Sequence, residues 1–388
     1  MTPHKKNVLV ITALSILTLL LSVIFVKNFP TLPVVSDSED YQTIAVSILT
    51  NHTYPSIPNQ TLLIYPPFYP LFVTIIYALT QIGSHVSIYF IQYLLVGLTS
   101  ILLFVTLRKY ANIKLLPSVL GALCILFWPY LILYSQLISS EVLYTFLLML
   151  FFFLFFSIRK ESKYWIVIVT GIILGCVMLT RPVALLLFPW ILIGLFIISK
   201  LPKIFSIKEI PWKKYLMVLV ISIATLLPWE IYIHKHYDRI IPVASNLGNV
   251  FSKANKTFAY LPDVEKPSIL KAKVKNLYLF WDPGAGGYHL DILKEKYPAA
   301  GIAVHAYKII FFAIVIMAGV AAVICRRNRL VIYSLLIITY TWGVHTVLFP
   351  FPRYTLPIMP FVIIVAVTGI THGINKLKTK NTLCNTCS

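Results

Sequence analysis

Tyr65-Pro66-Pro67-Phe68-Tyr69-Pro70 opens an apolar run that continues to Ile82, and the reading of that run decides the topology of everything around it. Three prolines in six residues make a poor start for a spanning helix, because each lacks a backbone N–H and pushes the residue before it out of the helical region. The aromatic rings beside them favour the boundary between membrane and water. The run therefore reads as a helix lying at the outer membrane surface. Outward from it, ten further apolar runs fall at about 8–26, 86–107, 115–134, 142–158, 164–180, 182–199, 214–233, 303–324, 330–349 and 354–373. Each is close to the ~20 residues that cross a bilayer.

Composition agrees with this reading. The 388 residues are 59% hydrophobic and only 12% charged, with a mean hydropathy of +0.84. A soluble domain is roughly a quarter charged, so an ordinary soluble enzyme is excluded. The expected fold class is an all-α, polytopic membrane bundle of ten spans, or eleven if 65–82 also crosses. The chain reads as one membrane-embedded domain over 1–388, with outer loops at 27–85 and 234–300 and a cytoplasmic tail at 374–388.

The net charge of +20 comes from 33 Lys and Arg against 13 Asp and Glu. In a membrane chain such an excess retains cytoplasmic loops, and no nucleic-acid partner is expected. The basic clusters Arg108-Lys109 with Lys114, Arg159-Lys160 with Lys163, Lys200–Lys214, Arg326-Arg327 with Arg329, and Lys376–Lys380 share one side only if one of the first three apolar runs fails to cross. That parity argument selects 65–82 independently of its prolines, and it puts both termini in the cytoplasm. The first run, Val8–Val26 after Lys5-Lys6, is too long for a signal-peptide core, lacks a small-residue cleavage site and reads as a retained span.

With this topology nearly every carboxylate lies outside, leaving only Glu161 and Glu209 on the cytoplasmic side. Four outer-face constellations result. Ser36-Asp37-Ser38-Glu39-Asp40-Tyr41 precedes a short helical pattern and reads either as a cap with acids at the positive helix end or as a general base at the membrane surface, with mutual repulsion tuning one acid. Ser139-Ser140-Glu141 reads as another cap or as a second acid. Arg181, in Thr180-Arg181-Pro182, and Arg353, in Pro350-Phe-Pro-Arg353-Tyr354, read singly as interface anchors. Together, acids and arginines on one face suit a reaction in which a base activates a hydroxyl and guanidiniums hold a phosphate leaving group.

In order along the chain, several strings resemble the landmarks of GT-C glycosyltransferases, the bacterial polyprenyl-phosphate-sugar enzymes related to protein O-mannosyltransferases and the lipid A aminoarabinose transferase. They are Asp37-x-x-x-Tyr41-x-x-x-Ala45, Tyr65-Pro66-Pro67-x-Tyr69-Pro70, Ser135-Gln-x-x-x-x-Glu141, Leu179-Thr-Arg181-Pro182, Pro228-Trp229 with Ile241-Pro-Val243 and Asn246-x-Gly248, and Arg353-Tyr354-x-Leu-Pro357. The resemblance spans residue 8 to about 370. It implies an inverting transfer of a sugar from a polyprenyl-phosphate donor to an acceptor hydroxyl of a glycan, lipid or protein on the outer face of a bacterial inner membrane. It implies Asp37 as the base, Glu141 as a second acid in the same cavity, and Arg181 and Arg353 at the donor phosphate. Tyr41, Tyr65, Tyr69 and Tyr354 are expected around the substrates. No cofactor is required by this reading; a divalent metal beside Glu39 or Asp40 stays open.

The chain departs from the family where relatives carry an arginine-asparagine pair after Pro-Trp, since it reads Pro228-Trp229-Glu230-Ile231. Ending soon after the last run, it is also expected to lack the large C-terminal outer domain of some relatives. Cys384 and Cys387 have metal-like spacing but no second pair, as a structural zinc site needs, and Cys124, Cys176 and Cys325 read as core residues. His234-Lys-His236, the sequons at Asn51, Asn59 and Asn255, and the glycines after Trp281 read as loop features. The alternative function is a lipid-linked glycan flippase or other transporter. Against it, no internal repeat is visible and the spans hold no paired mid-membrane charges. A membrane scaffold would leave the outer acids without a reason.

Overall fold

The structure, a computed structural model, describes residues 2–29, 32–34, 37–55, 65–201, 207–238, 240–241, 243–244, 269–283, 295, 299–348 and 350–385. Ser36, the Asn59 and Asn255 sequons, most of the 234–300 loop, Gly284–Gly287 and Cys387 lie outside them. The described residues form an all-helical bundle.

Among the described residues eight helices are long and apolar enough to cross a membrane: α1 (Pro3–Asn28), α4 (His85–Tyr110), α7 (Ser140–Ser157), α9 (Leu187–Ser199 with the 3-10 turn Pro182–Ala184 before it), α10 (Trp212–Tyr237), α12 (Ala299–Ile324), α13 (Arg329–Val347) and α14 (Met359–Asn385). Between them lie α2 (Asp37–Asn51), α3 (Phe68–Leu79), α5 (Leu115–Leu126), α6 (Pro129–Ser135), α8 (Tyr164–Thr180) and α11 (Ile269–Leu279).

Two expectations are refined. The run at 115–134 is not one straight span: α5 and α6 meet at a 43° bend. Pro129 holds the first position of α6 and Trp128 before it is extended, with φ −68° and ψ 113°. A proline lacks the N–H that would continue α5, so the helix stops and restarts. The run at 164–180 is a helix of 17 residues, ~25 Å long at 1.5 Å per residue. The proline-led run at 65–82 yields α3, only 12 residues long; at ~18 Å it is too short to cross the ~30 Å hydrocarbon core.

Packing relies on small residues, as expected where lipid supplies no hydrophobic drive between helices. The most extensive pairing sets α8 against α10. There Gly171 and Gly175 form a G-x-x-x-G ridge, and a Cβ added at Gly175 would sit 2.5 Å from the Thr225 Cβ.

The helices alternate in direction, so the bundle has two chemically different ends. One end is basic. Lys214, at the start of α10, donates to the carbonyls of Arg159, Lys160 and Ser162 in the α7–α8 turn, Arg108 Nε donates to Asn7 Oδ1 at 2.9 Å, and Arg329 pairs with Glu209. At the opposite end the N-termini of α2 and α7, the C-terminus of α8 and the 3-10 turn Pro352–Ile358 before α14 converge.

Candidate active site

The acids of α2 crowd its first turn, where the helix dipole favours negative charge. Asp37 is 43% exposed, and its Oδ2 lies 3.3 Å from Arg353 Nη2. Arg353 is held by the 3-10 turn, which two prolines stiffen. Its Nε lies 3.5 Å from Glu141 Oε1, and the same oxygen lies 3.3 Å from Arg181 Nη1. The result is one chain of charge, Asp37–Arg353–Glu141–Arg181, drawn from four separate elements and balanced at two negative and two positive groups.

Glu141 is only 3% exposed. A buried carboxylate is costly unless paired and hydrogen-bonded. Here two guanidiniums flank one oxygen, and the Ser139 hydroxyl donates to the other. Ser139 holds the N-cap position of α7 without making a capping bond, so the expected cap at Ser139-Ser140-Glu141 serves the carboxylate instead. Arg181 is extended (φ −144°, ψ 118°) between α8 and Pro182. Burial alone would lower its pKa, but the negative charge of Glu141 outweighs that and the pKa is raised. Arg181 Nη1 and Arg353 Nε are buried and face Glu141 at ion-pair distance without hydrogen-bond geometry. Each keeps donor capacity for an incoming oxyanion.

Aromatic rings fix both guanidiniums. Arg181 lies 4.9 Å from the Tyr354 ring centre and 5.7 Å from that of Tyr144; Arg353 lies 5.5 Å from Tyr354. The Tyr354 ring also stacks on His345, 4.1 Å between centres. Such contacts orient a cation without neutralising it.

On the α2 side, Tyr41 makes edge contacts with Tyr65 and Tyr69 at 5.1 and 4.7 Å. The Tyr65 hydroxyl donates to Asp40 Oδ2 at 2.6 Å and its oxygen lies 3.4 Å from Asp37 Oδ1. Burial, reinforced by the charge of Asp37, raises the pKa of Tyr41 and of Tyr65, so both phenols stay protonated. Tyr69 donates to Gln92 Oε1 at 2.8 Å, and the Gln92 amide donates to the carbonyls of Ser135 and Leu137 beyond the α6 bend. The carbonyls at the end of α6 thus anchor the tyrosine cluster.

Nine of the ten candidate residues come together. Glu39 does not: it is exposed, about 200° around α2 from Asp37. Asp40 is engaged by Tyr65, and among the described residues no group of three or more His, Cys, Asp or Glu could hold a metal ion. His236 of the His-Lys-His pair stacks on Tyr232, 4.0 Å between centres. Glu230, where the chain departs from its relatives, accepts the Val243 N–H while Trp229 donates to the Val243 carbonyl, so the Pro-Trp and Ile-Pro-Val landmarks are tied together.

Sequence reasoning passed over Gln92 and Tyr144, and gave Ser139 the role of a cap rather than of a partner to Glu141. Tyr144 could have been found from its i+3 spacing to Glu141 on one helix face. A buried glutamine inside an apolar run was the signal for Gln92.

Two apolar hollows adjoin the site. A groove of about 790 Å³ begins at Pro182, immediately after Arg181, and runs between Leu186 and Trp190 of α9 and Tyr340, Gly343 and Val347 of α13. A recess of about 500 Å³ is lined by Leu179, two residues before Arg181, with Tyr54, Leu71, Trp229 and Tyr232.

Residues 65–232 match a family model described as dolichyl-phosphate-mannose-protein mannosyltransferase. Among solved structures, ArnT from Cupriavidus metallidurans bound to undecaprenyl phosphate is similar at a TM-score of 0.53 and 14% identity, over 93% of this chain and 59% of that one. The apo state of the same ArnT is similar at 0.56 and 13%, over 95% and 60%. The chain thus spans about three fifths of the length of these structures. No curated protein sequence matches it. The likeness is one of fold, and with eight apolar helices among the described residues it defines the class: an integral-membrane helical bundle.

Proposed function

We propose that the chain is a glycosyltransferase that moves a sugar from a polyprenyl-phosphate carrier to an acceptor hydroxyl. The observation that carries this reading is the balanced chain Asp37–Arg353–Glu141–Arg181, with a 790 Å³ apolar groove that begins at Pro182, the residue after Arg181. The family match over 65–232 and a neighbour that binds undecaprenyl phosphate support it.

The donor's polyprenyl tail lies in the groove between α9 and α13, and its phosphate meets Arg181 and Arg353. Asp37, the most exposed member of the chain, accepts the proton of the acceptor hydroxyl as that oxygen attacks the anomeric carbon. The bond to the phosphate oxygen breaks on the opposite face, and the configuration inverts. Negative charge then develops on the phosphate, and the two guanidiniums turn from Glu141 toward it. Each positioned donor of this kind contributes ~3 kcal/mol to a transition state. Glu141 keeps the arginines oriented and offsets their charge before the donor arrives. Tyr41, Tyr65 and Tyr69 bound the space for the sugar. With arginines carrying the phosphate charge, no metal is required.

By the distribution of basic residues, this end of the bundle faces the outside of the cell and both termini are cytoplasmic. The test uses membranes holding equal amounts of wild type or Asp37→Asn, supplied with radiolabelled polyprenyl-phosphate sugars. Wild type consumes one donor, EDTA leaves that rate unchanged, and Asp37→Asn lowers it at least ~100-fold, the scale of a lost general base. Equal consumption by wild type and variant would overturn the assignment of Asp37.

A further inference from the structure

At the basic end a second hollow, about 450 Å³, opens between the end of α9 and the start of α13. Its walls are apolar (Ile198, Leu201, Ile332, Leu335 and Leu336) and its mouth carries Arg326 and Arg327, both exposed. Among the described residues neither arginine has an ion-pair or hydrogen-bond partner, whereas their neighbour Arg329 is committed to Glu209. Thr339 lines this hollow and also lines the groove that begins beside Arg181. Arg329 to Thr339 is ten residues of helix, ~15 Å at 1.5 Å per residue, or half of a ~30 Å hydrocarbon core. The basic-end hollow is therefore one leaflet deep.

We infer that this hollow is a binding site for an anionic glycerophospholipid of the leaflet at the basic end, with its phosphate on Arg326 and Arg327 and an acyl chain reaching Thr339. Three observations converge on that occupant. Paired guanidiniums match phosphate oxygens and resist neutralisation. A basic mouth between transmembrane helices at an interface selects anionic head groups. The apolar depth fits one acyl chain, which a free phosphate would leave unfilled. Thr339 lines both hollows, so the acyl chain reaches a residue of the outer groove. The site stands without the glycosyltransferase reading, because it is defined by binding alone.

The test is native mass spectrometry of the purified full chain titrated with phosphatidylglycerol or with phosphatidylcholine of the same acyl chains, in parallel with inorganic phosphate. Wild type should retain phosphatidylglycerol at least tenfold better than phosphatidylcholine. Arg326→Gln or Arg327→Gln should weaken phosphatidylglycerol about fivefold each, and the double variant about thirtyfold, the effect of about 1 kcal/mol per interfacial basic residue. Leu335→Trp, which fills the hollow and leaves both arginines, should also lose retention. Equal retention of the two lipids by wild type, or an unchanged preference in the double variant, overturns the site. Competition by millimolar inorganic phosphate together with unaltered binding in Leu335→Trp identifies a bare anion site and overturns it as well. Donor consumption by the same preparations reads the proposed catalytic function separately.

Discussion

Glu141 is where local chemistry and stability are most tightly joined. Its carboxylate is nearly inaccessible, yet two guanidiniums and a serine hydroxyl address it. Removing one partner of a buried ion pair leaves uncompensated charge and costs ~3–5 kcal/mol. Glu141→Gln is thus expected to lower the melting midpoint in detergent by several degrees and to abolish sugar transfer. The double variant Glu141→Gln/Arg181→Gln restores charge balance, since Arg353 still has Asp37, and should recover part of the midpoint while transfer stays lost. Thermal unfolding followed by tryptophan fluorescence measures both; a midpoint unchanged in the single variant would show that Glu141 carries no charge burden. The sequence placed Glu141, Arg181 and Arg353 at helix ends but gave each a plausible solitary role as cap or anchor. Nothing local in Thr180-Arg181-Pro182 states that its guanidinium reaches a carboxylate on another helix.

At the scale of elements, two contacts hold the site in place. The first is the α8–α10 ridge, which carries Arg181 on one helix and the tied Trp229–Val243 corner on the other. A methyl at Gly175 meets Thr225, whereas one at Gly319 of α12 meets nothing within 4 Å. Gly175→Ala should therefore destabilise by ~1–3 kcal/mol through overpacking, while Gly319→Ala should be neutral or slightly stabilising by helix propensity. Equal midpoints for the two variants would refute the ridge. The second is the α9–α13 groove. Gly343→Trp places a large ring in a space that lacks a side chain and should raise the donor KM at least tenfold with kcat changed less than twofold. Steady-state kinetics with a varied polyprenyl-phosphate donor decides it, and an unchanged KM would remove the groove from donor binding. Of these elements, the shortness of α3 was legible because Pro66, Pro67 and Pro70 are local signals. The α5–α6 break was missed although Pro129 marked it, because hydropathy continued unbroken through the bend.

The whole molecule is polar along its length, with an acidic and aromatic end that gathers the candidate chemistry and a basic end that gathers Lys214, Arg108 and Arg329. If the charge rule sets its orientation, a cysteine placed at Lys235, near the end of α10, should react with a membrane-impermeant maleimide in intact cells. One placed at Lys5, in a background lacking Cys384 and Cys387, should react only after permeabilisation. The reverse pattern would put the site in the cytoplasm. The order of the apolar runs and the presence of acids and arginines at their ends were legible in the sequence alone, because each depends on residues adjacent in the chain and on the cost of burying a charge in lipid; the ten spans expected from it exceed the eight helices, nine with the bent pair, that are long enough to cross among the described residues. Which arginine meets which carboxylate, the tyrosine–glutamine bridge across the α6 bend, and the grooves between α9 and α13 were decided only by the tertiary structure. Those features depend on helix contacts over distances of a few ångströms, and they are set by side-chain shape where helices cross, which hydropathy along the chain does not encode.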